Sequence, residues 1–207
     1  RRNTSDADPI INTVGADVEV SLFEFDLFSL IAFTDVGGLV PYLRGSFDTA
    51  DGTVSSGLKT DTLVDTETGT FRNFGAMTGV LGNVSIIDYR LDFRTYDGIF
   101  RPFYFDRGYE RRRASAAADV VGYLADPDSP QYDRIGAGVY GEAGVSVLGD
   151  ALRISASYFW PWEIEDSGEW QLSDYDELTL RADLAEGLLP LGIQASARYS
   201  RRGFFAT

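Results

Sequence analysis

Strict alternation of apolar and polar residues is the feature that most limits what this 207-residue chain can become. Over 152–162, Leu152, Ile154, Ala156, Tyr158, Trp160 and Trp162 share one parity, while Arg153, Ser155, Ser157, Phe159 and Pro161 share the other. Successive side chains of a strand point to opposite faces, so this pattern predicts an extended segment with one greasy and one polar side. Over 87–95, Ile87, Tyr89, Leu91, Phe93 and Thr95 oppose Asp88, Arg90, Asp92 and Arg94, whose charges alternate in sign. The same grammar recurs over 177–184, where Leu178, Leu180, Ala182 and Leu184 oppose Glu177, Thr179, Arg181 and Asp183. It returns over 193–200 and, written with small residues, over 135–147, where Glu142 falls on the polar side.

Three earlier segments are noisier. Over 17–34, Phe23, Phe25, Leu27, Ile31 and Phe33 alternate with Glu24, Asp26, Phe28, Leu30 and Thr34, after a phase slip near Leu22 that reads as a β-bulge. Segments 39–47 and 71–81 complete a set of eight strands. Gly37-Gly38, Gly82-Asn83, Gly149-Asp150 and Glu186-Gly187 each separate two runs and read as tight hairpin turns. The other connections, at about 49–69, 97–134 and 163–174, are long and polar. Short turns at one end and long loops at the other predict an all-β fold, an antiparallel up-and-down transmembrane β-barrel with about eight strands visible. The expected organisation is a polar N-terminal segment over 1–16 and a barrel domain over 17–207, either complete or part of a larger barrel. Within 97–134, the stretch 114–124 reads equally as a helix or a further strand.

Alternation also fits a soluble β-sandwich or a lipocalin-like barrel, in which the apolar face lines the core. Two features favour the membrane. The strands reach about ten residues, whereas ordinary strands have a mode of ~5–6. Aromatics also cluster at strand ends beside the long loops (Phe47, Phe71, Tyr96, Tyr158, Trp160, Trp162, Tyr175 and Tyr199), as expected of an interfacial girdle. The barrel interior is then expected to carry Glu24, Asp26, Arg44, Asp88, Arg90, Asp92, Arg94, Glu142, Arg153, Arg181, Asp183 and Arg198.

Composition removes several classes of function. The formal charge of −14, from 32 acidic against 18 basic residues, argues against nucleic acid, whose phosphates are held by positive surfaces. The chain has no cysteine, hence neither disulfides nor thiolate metal sites. Aromatic residues make up 14% of the chain, too many rings for a disordered acidic tail. No run approaches the ~20 consecutive apolar residues of a membrane-spanning helix.

The run of alternating strands, tight glycine turns and long loops over about 17–203 resembles the small outer-membrane barrels of the OmpA, OmpX and OmpW type. The stretch 82–113, GNVSIIDYRLDFRTYDGIFRPFYFDRGYERRR, is also similar to uncharacterised spirochaete outer-membrane proteins. The resemblance implies an architecture and a place in the bacterial outer membrane, and brings no chemistry with it. The chain departs from these barrels in one respect. With the tight turns at the periplasm, both ends of the strand array lie outside, so further strands beyond Arg1 and Thr207, or an unusual topology, are expected.

Histidine is absent, which removes the usual base for activating water or a serine, and histidine metal sites with it. Asp88 with Asp92, or Glu24 with Asp26, have the spacing of a glycosidase dyad or a hard-cation site, but ion pairing with the neighbouring arginines accounts for them more simply. Asp126, Asp128 and Asp133 read as a solvated acidic turn, and Trp160-Pro161-Trp162 as an interfacial anchor rather than a sugar platform. Phe103, Tyr104, Phe105, Tyr109, Arg111, Arg112 and Arg113 mix aromatics with arginine, a composition enriched at protein interfaces and equally suited to a lid or plug. The expected function is a non-enzymatic structural or assembly scaffold without a cofactor. Its partners would be the lipid bilayer and, through the loops, further copies or other proteins. A porin-like passive channel and a soluble binding protein are the alternatives.

Overall fold

The computed structural model describes residues 9–50, 52–65, 69–100, 109–132, 134–149, 151–164, 168–173, 176–185 and 194–204. One antiparallel nine-stranded sheet dominates them. Its strands are Thr13–Phe25 (β1), Phe28–Leu39 (β2), Phe74–Val84 (β3), Ile87–Asp97 (β4), Ile135–Val147 (β5), Leu152–Ile164 (β6), Trp170–Leu172 (β7), Glu177–Leu184 (β8) and Ala195–Arg202 (β9). The spatial order is β9-β8-β6-β5-β4-β3-β2-β1, with β7 laid against the end of β6. Among the described residues no pairing joins β1 to β9, so the sheet is open.

The register shows how alternation becomes two faces. Glu24, Ser29, Asn83, Asp88, Gly144, Ser155, Arg181 and Arg198 are successive partners across eight strands. The adjacent row on the opposite face is Phe25, Phe28, Val84, Ile87, Val145, Ile154, Ala182 and Ala197. One bulge makes this consistent. The register slips between Ser21 and Phe23, which places Val18 and Val20 on the same side as Phe23 and Phe25 although their parity differs. The expected phase slip near Leu22 is this bulge.

The turns differ from the sequence expectation at two places. The first hairpin turns at Asp26-Leu27 and the second at Ser85-Ile86, where Ser85 holds φ +57°. Gly37-Gly38 and Gly82-Asn83 stay inside β2 and β3. Those glycines are needed for close approach rather than for turning. A Cβ on Gly38 would stand 2.2 Å from the Leu63 side chain, and one on Gly82 would stand 2.0 Å from the Ser29 carbonyl oxygen. Segment 17–34 is therefore two strands of a hairpin, while 39–47 is not a strand of the main sheet, and the total of eight long strands among the described residues survives because the two errors offset each other. Gly149 does turn, at φ +64°, and Glu186-Gly187 lies outside the described residues. The tight turns sit side by side at one rim, with Ser85 N donating to Leu27 O and Ala185 N to Ala151 O.

At the opposite rim the long connections build a cap. Pro9–Ile10, in the N-terminal segment, pairs with Tyr42–Leu43, which pairs with Gly57–Leu58. Tyr109–Ala125 forms helix α1, resolving the helix-or-strand alternative, and Val120 and Tyr123 pack on Ile11, Leu39 and Ile99. Buried polar groups fasten this cap to the sheet. Thr62 Oγ1 donates to Leu39 O at 2.8 Å, Asn73 Nδ2 donates to Thr62 O at 2.7 Å, and Ile99 N donates to Asn73 Oδ1 at 2.8 Å.

Candidate functional site

Of the twelve residues expected in an interior, ten share the polar face of the sheet by register: Glu24, Asp88, Arg90, Asp92, Arg94, Glu142, Arg153, Arg181, Asp183 and Arg198. Asp26 lies in the first hairpin turn and Arg44 in a bend of the connection after β2, so neither belongs to that face. Both misplacements follow from the misread turns.

Asp92 is the centre of this face. It is 2% exposed and accepts from Arg90 Nε at 2.6 Å and from both Nε and Nη2 of Arg94. Burying charge is costly unless it is paired and hydrogen-bonded, and these three residues meet that requirement together. Aromatic rings complete the enclosure. The Arg90 guanidinium lies 4.5 Å from the centre of the Phe33 ring, and that of Arg94 lies 3.9 Å from Tyr140 and 5.5 Å from Phe159. Tyr140 and Phe159 carry the polar-side parity in the sequence, which was the available signal for this stacking role. Phe33 was assigned to the greasy side, and the hairpin at Asp26-Leu27 reverses that assignment.

Tyr96 is a correction as well. It is buried on the polar face, where its hydroxyl donates to Glu163 Oε1 at 3.0 Å, so it is not an interfacial aromatic. Its ring lies where a Cβ on Gly136 would otherwise stand, 2.2 Å away. Phe47 is buried in the cap connection. Trp160 and Tyr199 are exposed on the apolar face, and the Trp160 and Trp162 rings lie 5.0 Å apart. Tyr158 shares their parity, and its hydroxyl donates to Asp176 Oδ2 at 2.9 Å. Tyr175 lies outside the described residues.

At the cap end of the polar face a cavity of about 430 Å³ opens between Asp35, Met77, Arg90, Arg94, Tyr140 and Phe100. Phe100, in the long connection after β4, rests against Gly75 and Gly37 and forms one wall. Phe103, Tyr104 and Phe105 lie outside the described residues, while Tyr109 and Arg111 to Arg113 occupy the first turns of α1 rather than a loop. In the cap, burial, Asp119 and Asp126 push the Tyr132 phenol above its ordinary pKa. Asp128 stands 3.6 Å from Arg72, and Asp133 lies outside the described residues.

The chemistry this face offers is charge pairing. Both oxygens of Asp92 are taken by arginine, and Asp88 lies 3.1 Å from Arg153 Nη2, so neither carboxylate is poised as half of an acid–base dyad. Among the described residues no cluster of metal-ligating side chains forms. No known protein family, curated protein or solved structure matches the chain.

Proposed function

We propose that this chain is a non-enzymatic wall of a β-barrel in a bacterial outer membrane, with its apolar face against lipid, its charged face toward the lumen and its cap outside the bilayer. The observation that carries this reading is the inverted burial along β4. Leu91 is 53% exposed and Phe93 49%, while between and beyond them Asp92 and Arg94 are 2% and 5% exposed. A water-soluble sheet that covers one face covers the apolar one. A sheet that shelters Asp92 and Arg94 while it bares Leu91, Phe93 and Trp160 has the solvent preference of a membrane barrel. This same facing weighs against the β-sandwich and lipocalin-like alternatives.

Strand length agrees with the proposal. The six strands β1 to β6 run 11 to 13 residues, enough for the ~9–11 tilted residues that cross a bilayer. The bare face carries hydroxyls that satisfy one another, as in the Thr34 and Thr78 pair at 2.9 Å. Trp160 and Trp162 lie toward the cap end of that face, where headgroups would meet it, whereas Tyr199 stands opposite Leu180 at mid-sheet. A porin-like passive channel is a second reading, favoured by the partly exposed guanidiniums of Arg153, Arg181 and Arg198 on the lumen side.

The test compares neighbours on β8. Leu180→Arg places a cation on the bare face, at a cost of about 2–4 kcal/mol near a bilayer midplane, and should block insertion into lipid vesicles. Thr179→Arg places the same cation on the polar face, beside Ser200, and should insert as the wild type does. Equal insertion of both variants, or a wild-type chain that stays monodisperse in plain buffer, would sink the proposal.

A further inference from the structure

We infer that the two open edges of the sheet are completed by a second copy of this chain, β1 of one copy pairing with β9 of the other. This rests on the membrane reading above. The two edges carry opposite charge. β1 contributes Asp17, Glu19 and Glu24 and no basic residue, and β9 contributes Arg198, Arg201 and Arg202 and no acidic one.

Neither set is neutralised at home. Among the described residues Asp17, Glu19 and Glu24 form no ion pair, and Asp17 stands directly opposite Asp35 of β2, a like-charge pairing that a cation on the free side of β1 would relieve. Arg198 and Arg202 share the single carboxylate of Glu177, at 3.6 and 3.1 Å, which leaves the edge positive.

The edges are also available. Among the described residues β1 pairs only with β2 and β9 only with β8, and every residue of both strands is exposed. A thirteen-residue strand with one side of its backbone unpaired is a template for another strand. Among the described residues the two edges of one chain do not pair with each other, and the opposite edge of another copy fits each of them in charge.

Direction and level select the same pairing. β1 runs from the cap rim to the turn rim and β9 runs back, so two copies inserted in the same orientation meet β1 to β9 as an antiparallel pair. A contact of β1 with β1, or of β9 with β9, would be parallel and would set like charges together. With the turn ends level, Phe25 beside Ala195, and the extra residue of the bulge at Leu22 skipped, residue 198 falls opposite 21 and residue 202 opposite 17. Each guanidinium of the polar face then lies within two residues of Glu24, Glu19 or Asp17. Two such seams close a ring of sixteen long strands, a size that leaves an aqueous channel rather than a filled interior.

The experiment uses two single variants of the full chain, Ser21→Cys on β1 and Ser200→Cys on β9. Both positions are on the polar face, and the chain has no other cysteine. The variants are mixed, refolded together into lipid vesicles and treated with a short bis-maleimide. The expected product has twice the 22.8 kDa chain mass and forms from the mixture but from neither variant alone. Adding Asp17→Lys and Glu19→Lys to the Ser21→Cys partner should lower its yield several-fold. The inference is overturned if the mixture gives no dimer, if the charge changes leave the yield unaltered, or if the double variant Ser21→Cys/Ser200→Cys gives only an internally bridged monomer. Protease protection in the same vesicles reports the membrane reading separately: a protected chain without the dimer rejects the seam alone, and a dimer formed by an unprotected chain rejects the membrane alone.

Discussion

Leu43 and Leu91 are the same residue in two parts of one molecule, and they are treated in opposite ways. In the cap, Leu43 is 0% exposed, and Leu39, Phe47, Val120 and Tyr123 are buried around the same rim. In the sheet, Leu91 faces outward between Ile87 and Phe93, while aspartate and arginine take the sheltered side. The cap follows the rule for a protein in water, whereas the sheet reverses it. On the proposed membrane reading, the boundary between lipid and water falls near the rim where β2 ends and α1 packs.

The most damaging way to break this comparison is to remove Asp92. Asp92→Ala removes the buried carboxylate that accepts from both Arg90 and Arg94 and should destabilise the sheet by about 4 kcal/mol, read as a lowered urea midpoint in detergent micelles. Asp92→Leu combined with Arg94→Leu removes both charges and should recover most of that loss, since apolar pairs of similar volume often replace buried ion pairs without penalty. Should Asp92→Ala cost no more than Asp17→Ala at the exposed edge, the charged side would not be sheltered and the contrast with the cap would disappear.

A smaller effect comes from truncating the two leucines. Leu43→Ala opens a cavity in the cap and should cost about 3 kcal/mol in the same measurement. Leu91→Ala leaves no cavity inside the protein, so its effect on the micelle unfolding midpoint should be well under half of that. Reversed magnitudes would mean that the greasy side of β4 has a protein neighbour.

How much of this was legible in the sequence follows from how each region is held together. The wall obeys a local rule, alternation, so Leu91 against Asp92 and the slip at Leu22 could be read from neighbours alone. The turns were misread because glycine serves two needs. Gly38 and Gly82 admit Leu63 and the Ser29 backbone, and nothing nearby in the chain distinguishes that from turning, whereas Asp26-Leu27 turns without a glycine. The cap was opaque because its core joins Ile11, Leu39, Ile99 and Val120, residues far apart in sequence and without a shared period. Tyr96 was misassigned for a different reason: position at a strand end was allowed to override its parity, which already placed it with Asp92 and Arg94.

The last contrast concerns how independent the two regions are, and Asn73 is the residue that tests it. It is buried at the foot of β3 with φ +54°, a conformation asparagine tolerates better than most residues. Its side chain accepts from Ile99 N and donates to Thr62 O, and its carbonyl accepts from Leu39 N at 3.0 Å. Asn73→Ala removes both side-chain bonds, strands the Ile99 amide and strains the backbone, and should cost about 2 kcal/mol. Asn73→Gly loses the same bonds without the strain, so it should cost less. Amide exchange distinguishes a loosened cap from a weakened wall. Ile99 should lose protection in both variants, while the amide of Leu91 should keep it, because the wall's ladder does not pass through Asn73. Loss of protection at Leu91 together with Ile99 would mean that the sheet and the cap unfold as one unit, and that the contrast in burial between them is chemical without being mechanical.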